Sequence, residues 1–290
     1  MNGTITRRKA LHRIAVAGIA LDSLHSLEAA EPAVTARRRP KLIAFDVIET
    51  LFDPSPIDAA MVEIGLRKGL LKVWFARFLR DAFALEIIGQ YKPFKEIATG
   101  TLGVMCRAQD IAVDEAKIAG VLAHFATLPA HPDVKAGFEA VRAAGVRMIT
   151  LTNGNAEVTR KMLGHAGLDG FIERGISIDE VRHWNPAKAV YLHAAKTMQV
   201  EPQEMALIAA HDWDTAGASR AGLTTGGVER GSPFSAALPA PDVIGRTLPD
   251  TVKQLLALPA QDRFPLGFVV RRAQWMRHAP ASPGRRNIIA

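Results

Sequence analysis

Cysteine is almost missing from this chain of 290 residues. Cys106 is the only one, so no disulfide can form within the chain and no cysteine-based zinc cluster can assemble. No apolar run reaches the ~18 residues that a membrane-spanning helix needs, so stable membrane insertion is not expected. Internal repeats and long low-complexity segments are absent as well. The composition that remains is 48% hydrophobic and 22% charged, which excludes global disorder. The length suits one large domain, or a domain with an insert.

The formal charge of +7 is unevenly placed. Residues 1–41 carry +5 and residues 261–290 another +5, which leaves the body between them at −3. A basic chain can signal nucleic-acid binding, but this body repels a phosphate backbone, so no nucleic-acid partner is expected. The basic N-terminal extension, 1–40, holds paired Arg7 and Arg8. A short apolar stretch follows from Ile14 to Leu21, with small residues around 27–33. That order resembles a twin-arginine export signal and implies a periplasmic protein. Asp22 and His25 interrupt the apolar stretch; the alternative is a cytoplasmic protein with a solvated basic extension. The C-terminal tail, 261–290, mixes arginines with Trp275 and several prolines and reads as a solvated segment.

Within the body, KLIAFD (41–46) is a buried strand that ends on Asp46. Pro54 and Pro56 then break regular structure. Residues 57–128 carry apolar side chains at three- and four-residue spacing and read as helical throughout, an insert rather than an ordinary crossover. Beyond it, helices over 133–144 (capped by Asp133), 156–166, 188–198 and 214–221 alternate with strands over 146–151, 175–178 and 205–210. This alternation predicts an α/β fold, a doubly wound parallel sheet that binds ligands at its carboxyl edge. Asp46, Thr152-Asn153 and His211 to Asp214 fall at that edge.

Four motifs stand at these strand ends and helix starts: FDVIETLFD at 45–53, TLTNGN at 150–155, NPAKAVY at 185–191 and HDWDTAGA at 211–218. Together they resemble the haloacid dehalogenase superfamily, and most of all its type II 2-haloacid dehalogenases, over about 40–240. The resemblance implies a Rossmann-like core over 41–56 and 129–260 and an inserted helical cap over 57–128. It implies that Asp46 attacks the halogen-bearing carbon of a small 2-haloacid and forms an ester that water then hydrolyses. Thr50 is expected to hydrogen-bond near Asp46. Thr152 and Asn153 are expected to hold the substrate carboxylate, and they also suit an ordinary helix cap. Tyr191 and His211, the latter in place of the family's usual asparagine, are expected beside the substrate. Asp214 matches the family's aspartate behind the catalytic water or lysine.

Two departures concern charge. The family's lysine before the proline is Asn185 here, with Lys188 three residues on as a candidate substitute. Where many members carry an arginine in the cap, Phe75 stands, and Arg77 and Arg80 are the nearby candidates to clamp the substrate carboxylate. Trp74, Phe78 and Phe83 could line an apolar halide site or simply be core. The superfamily's phosphatases carry a second acid two residues after the nucleophile and another two before Asp212. Ile48 and Ala210 occupy these positions. Asp46 and Asp214 alone make a poor magnesium site, and the register argues against Asp212 as a rescue ligand. The resemblance therefore implies chemistry with no metal and no cofactor. Three readings follow: a 2-haloacid dehalogenase, a phosphatase of the superfamily, or an impaired relative that binds a small acid. Helical caps of this kind also offer surfaces for a homodimer.

Overall fold

The computed structural model describes residues 37–112 and 114–260. The twin-arginine reading and the tail at 261–290 lie outside these residues. Six parallel strands form one sheet in the order β3-β2-β1-β4-β5-β6. They are β1 (Leu42–Phe45), β2 (Arg147–Thr152), β3 (Arg174–Ser177), β4 (Met205–Ala209), β5 (Thr224–Val228) and β6 (Val243–Gly245). All of β1 and β4 is buried, as unbroken apolar runs require when helices cover both faces of a sheet.

The chain steps from β1 to β2 to β3 in one direction and resumes with β4 on the far side of β1. Right-handed crossovers running in opposite directions lay their helices on opposite faces. Hence α5 (Val134–Ala143) packs with α9 (Leu248–Leu256), while α7 (Lys188–Thr197) packs with α8 (Asp212–Ala221) on the other side. The reversal opens a crevice at the carboxyl ends of β1 and β4, where open α/β sheets take their ligands.

Between β1 and α5 stand four helices, α1 (Ser55–Glu63), α2 (Leu71–Ile87), α3 (Phe94–Arg107) and α4 (Glu115–Ala123). This helical cap is not the continuous stretch that the periodicity predicts. Gly65, Gly69 and Gly89 break it with positive φ angles, a conformation cheap only for glycine. Pro56 does not stop structure either. It occupies the first turn of α1, where a missing N–H costs nothing. Inside the cap Trp74 is fully buried and its indole N–H donates to Thr101 Oγ1 at 2.9 Å.

Helix α6 (Ala156–His165) is capped by Asn155, which accepts from the N–H groups of Glu157 and Val158; the cap is therefore not Thr152. Asp133 makes no side-chain cap on α5. Its carboxylate instead accepts from Arg230 and from the Leu248 N–H, tying α5 to the end of the sheet. β5, β6 and α9 have no counterpart in the sequence reading. β5 reads TTGGV, too poor in apolar side chains to signal a strand, yet every residue of it is buried.

Candidate active site

Asp46 ends β1 at the crevice and is 6% exposed. One carboxylate oxygen, Oδ2, accepts the Thr50 hydroxyl at 2.6 Å and lies within hydrogen-bond distance, 3.1 Å, of His211 Nδ1. Its other oxygen accepts no hydrogen bond among the described residues. Thr50 also accepts the Ala210 N–H at 2.8 Å, so one buried hydroxyl couples the turn after β1 to the end of β4. The far nitrogen of His211, Nε2, lies 2.7 Å from Glu49 Oε2. Sequence reasoning missed Glu49. It stands inside the first motif as a neutral spacer position, and only its left-handed backbone, φ 64°, turns its side chain back toward His211.

Behind this group lies Asp214 in the first turn of α8, fully buried. The Tyr191 hydroxyl donates to its Oδ1 at 2.5 Å, and its Oδ2 has no partner. Burial first, and the neighbouring charge of Asp46 second, push the Asp214 carboxyl up to about 7, against the pull of the Tyr191 bond and His211. Tyr191, expected beside the substrate, does not reach the cavity. The inward face of α7 buries it against α8, and its phenol is pushed well above its ordinary value by burial.

Asn185 is 1% exposed. Its backbone N–H donates to Asn153 Oδ1 at 2.9 Å, while both polar atoms of its own side chain are buried without a partner. Asn153 is thereby fixed by one end of its amide, and its NH2 group remains without a bond among the described residues. Thr152 accepts the Gly154 N–H at 2.9 Å and keeps its hydroxyl proton for a ligand.

The cavity in front of Asp46 is small, about 20 Å³, room for about one water. Ile48, Thr152, Asn153, Gly154, His211 and Trp213 wall it from the core, and Phe75, Phe78, Leu79 and Phe94 from the cap. A second cavity of about 390 Å³ adjoins it and shares Ile48, Phe94, Thr152 and Gly154. Its other walls include Ala119, Leu122, Phe125 and Met162, with Lys95 and Asp179 also among them.

The expected cations do not converge here. α2 turns Trp74, Phe75, Phe78, Leu79 and Ala82 inward, at the three- and four-residue spacing of one helical face. That rotation leaves Arg77 and Arg80 outside both cavities, with Arg80 paired to Asp81 at 2.8 Å. Lys188 is exposed at the start of α7 and makes no ion pair among the described residues. Trp74 is cap core, and Phe83 meets the edge of Trp213 with ring centroids 5.4 Å apart. Asp212 is no spare ligand, because its two oxygens accept the N–H groups of Trp213 and Ser235.

The cap is fastened over this site by polar contacts. Glu86 accepts from His183 Nδ1–H and from the Trp184 N–H, each at 2.9 Å. Tyr91 donates to Asp179, and the Trp184 indole donates to the Lys92 carbonyl.

Several known proteins share much of this chain. The haloacetate dehalogenase H-2 of Moraxella sp. (strain B) is 27% identical over 182 residues, 62% of this chain and 81% of its own length. The (S)-2-haloacid dehalogenase H-109 of Pseudomonas putida is 24% identical over 190 residues, 65% of this chain and 85% of its own. Among solved structures, the L-2-haloacid dehalogenase from Xanthobacter autotrophicus, with chloropropionic acid covalently bound, superposes with a TM-score of 0.69 at 20% identity, over 75% of this chain and 99% of that one. The profile of the haloacid dehalogenase-like hydrolases matches residues 40–222, from the start of β1 through the end of α8. A sheet order, a cap and four motifs that agree with that match leave one assignment: the chain belongs to the haloacid dehalogenase-like hydrolase family.

Proposed function

We propose that the chain is a hydrolytic dehalogenase of small 2-haloacids that uses Asp46 as its nucleophile. The observation that carries this reading is the state of Asp46. One oxygen is tethered by Thr50 and His211, and the other is unbonded, in a cavity walled by Ile48 and by aromatic rings. In the first step the unbonded oxygen attacks the halogen-bearing carbon. The carbon–halogen bond breaks, halide leaves with the electron pair, and an ester joins Asp46 to the substrate. In the second step water adds to the ester carbonyl, the 2-hydroxy acid departs, and the Asp46 carboxylate re-forms with release of one proton.

A halide needs no proton on leaving, so Ile48 in place of an acid costs this chemistry nothing. Asp214, which keeps one unpartnered oxygen, Oδ2, behind Asp46, is our candidate to take the proton of the attacking water. The Thr152 hydroxyl and the Asn153 amide are the donors for the substrate carboxylate. A cavity of about 20 Å³ excludes bulk water but also excludes the acid, so the cap opens for binding and closes for reaction. The larger adjoining cavity gives an alkyl chain its room. Metal-independent chemistry is supported by Ile48 and Ala210, which put no carboxylate at the two positions where the superfamily's phosphatases carry acids.

Halide release from L- and D-2-chloropropionate and from monochloroacetate, with and without EDTA, tests the proposal. Release that resists EDTA and disappears in Asp46→Asn is the expected result. Release that EDTA abolishes, or that persists in Asp46→Asn, overturns it. A specific observation favours a second reading: among the described residues, no Lys or Arg lines the cavity at Asp46. That suits an uncharged halogenated substrate, and faster halide release from 2-chloropropionamide than from 2-chloropropionate selects it.

A further inference from the structure

A carboxylate that must attack carbon needs a cation beside it, to stay ionised while buried and to hold its attacking oxygen in place. Position 185 offers none. The Asn185 amide is uncharged and bonds to nothing through its side chain. What does meet Asp46 is His211, and the geometry around that ring defines its charge. Nδ1 lies 3.1 Å from Asp46 Oδ2 and Nε2 lies 2.7 Å from Glu49 Oε2. A neutral imidazole carries one N–H and would turn a lone pair on one of the two carboxylates. With Asp46 and Glu49 both ionised, both contacts are hydrogen bonds only when both nitrogens are protonated and the ring is positive.

The surroundings fit a cation. The ring stacks on Trp213 at 4.9 Å between centroids and 21° between planes, and Phe75 stands 5.9 Å away. Phe75 stands where the family resemblance implies an arginine, so the wall toward the cap is aromatic and carries no Lys or Arg among the described residues. Asp214 is the third acid nearby, buried under the site, and His211 pulls its carboxyl down against burial and the charge of Asp46. Burial alone draws the His211 imidazole down, but the hydrogen bonds and charges of Asp46 and Glu49 outweigh it and lift the ring to about 10. Glu49 holds its place at a conformational cost. Its left-handed backbone is pinned by its own N–H on the Phe52 carbonyl and by His131 Nε2–H on its carbonyl at 2.9 Å. A residue other than glycine persists in that region only where its surroundings over-determine it.

We propose that His211, aimed by Glu49, is the positioning cation of Asp46 in this chain, so that the charge usually supplied before the proline has moved to the end of β4. The role rests on the reading of Asp46 as nucleophile; the charge on His211 can be measured without it.

The test combines histidine-labelled nitrogen NMR on the full chain with kinetics of His211→Asn, Asn185→Lys and the double variant. Expected is a His211 ring protonated on both nitrogens at pH 7.5 that titrates above pH 9, and that titrates at least one unit lower in Glu49→Gln. His211→Asn is expected to lower kcat about a hundredfold, the scale of losing one preorganised stabilising group, with KM little changed. Adding Asn185→Lys to it restores at least tenfold of the loss. A ring that is neutral at pH 7.5 overturns the proposal, as does His211→Asn with the parent's kcat. Should His211→Asn fail to fold, the parent titration still decides the charge. Absence of halide release from the parent overturns the dehalogenase reading instead, and leaves the titration to judge His211 by itself.

Discussion

Gly217 shows how closely the site is built. It lies on α8, and a β-carbon added there would fall 2.5 Å from Pro186 Cβ, 2.8 Å from the Pro186 carbonyl and 2.8 Å from the Tyr191 hydroxyl. Two of those atoms are rigid, so Gly217→Ala must shift either α8 or the turn at 185–186. Overpacking of this kind costs about 1–3 kcal/mol, and here it also pries Tyr191 from Asp214. The expected result is a stability from urea unfolding lowered by that amount, together with a kcat loss larger than that of the surface change Arg220→Ala on the same helix. Equal effects would show that the packing is slack. At this scale the sequence was informative where a motif fixed a residue type. Asp46 and Thr152 line the crevice, Thr50 bonds to Asp46, and Asp214 lies buried behind them. It was uninformative about Arg77, Arg80 and Lys188, because a charge near a motif says nothing of helix rotation. Glu49 was illegible for another reason: its backbone conformation, not its type, brings it to His211.

Among the elements, α2 couples binding to fold. It supplies Phe75, Phe78 and Leu79 to the cavity wall and, near its end, Glu86 to His183 and the Trp184 N–H. Trp184 is itself fully buried against Phe78, with ring centroids 5.4 Å apart. The carboxylate of Glu86 thus latches the cap to the segment that carries Asn185. Glu86→Ala leaves the Trp184 N–H unpaired, a loss of about 1–3 kcal/mol for a buried donor. Hydrogen exchange over 178–186 should quicken and KM should rise, with kcat less affected. Unchanged exchange there would mean that the aromatic contacts alone hold the cap. The helices of the cap were legible as a class from their apolar period, but their ends were not, since Gly65, Gly69 and Gly89 act through φ rather than through hydropathy. The last strands stayed hidden because small residues fill them: Gly226 lets Thr251 and Leu255 of α9 approach, so packing and not pattern makes β5 a strand.

Over the whole molecule, the proton inventory predicts how stability follows pH. His211 binds its proton up to about 10 in the folded chain, against 6.5 when free. The folded state therefore holds more protons than the unfolded one between these values. Its contribution is complete below 6.5 and is lost as pH rises through 10. Asp214, lifted from 3.8 to about 7, has the same sign in a lower window. There it is opposed by carboxylates such as Asp133 and Glu180, whose folded values are depressed by their hydrogen bonds and cationic partners despite burial, and whose contributions appear as pH rises. His131 is drawn down by burial and opposes Asp214 as well, below its ordinary 6.5. Between pH 8 and 9 these terms are settled, and the thiol of Cys106, which burial raises above 9.0, only begins to add a loss of the same sign as pH nears 9. His211 is then the dominant titrating group. The urea midpoint should fall steadily from pH 8 to 9, with His211 contributing a slope in stability of about 1.4 kcal/mol per pH unit. In His211→Gln the fall over the same interval should be much shallower. A parent whose stability is flat there would mean that His211 gives up its proton near its ordinary value, and that the two carboxylates around it do not hold a charge.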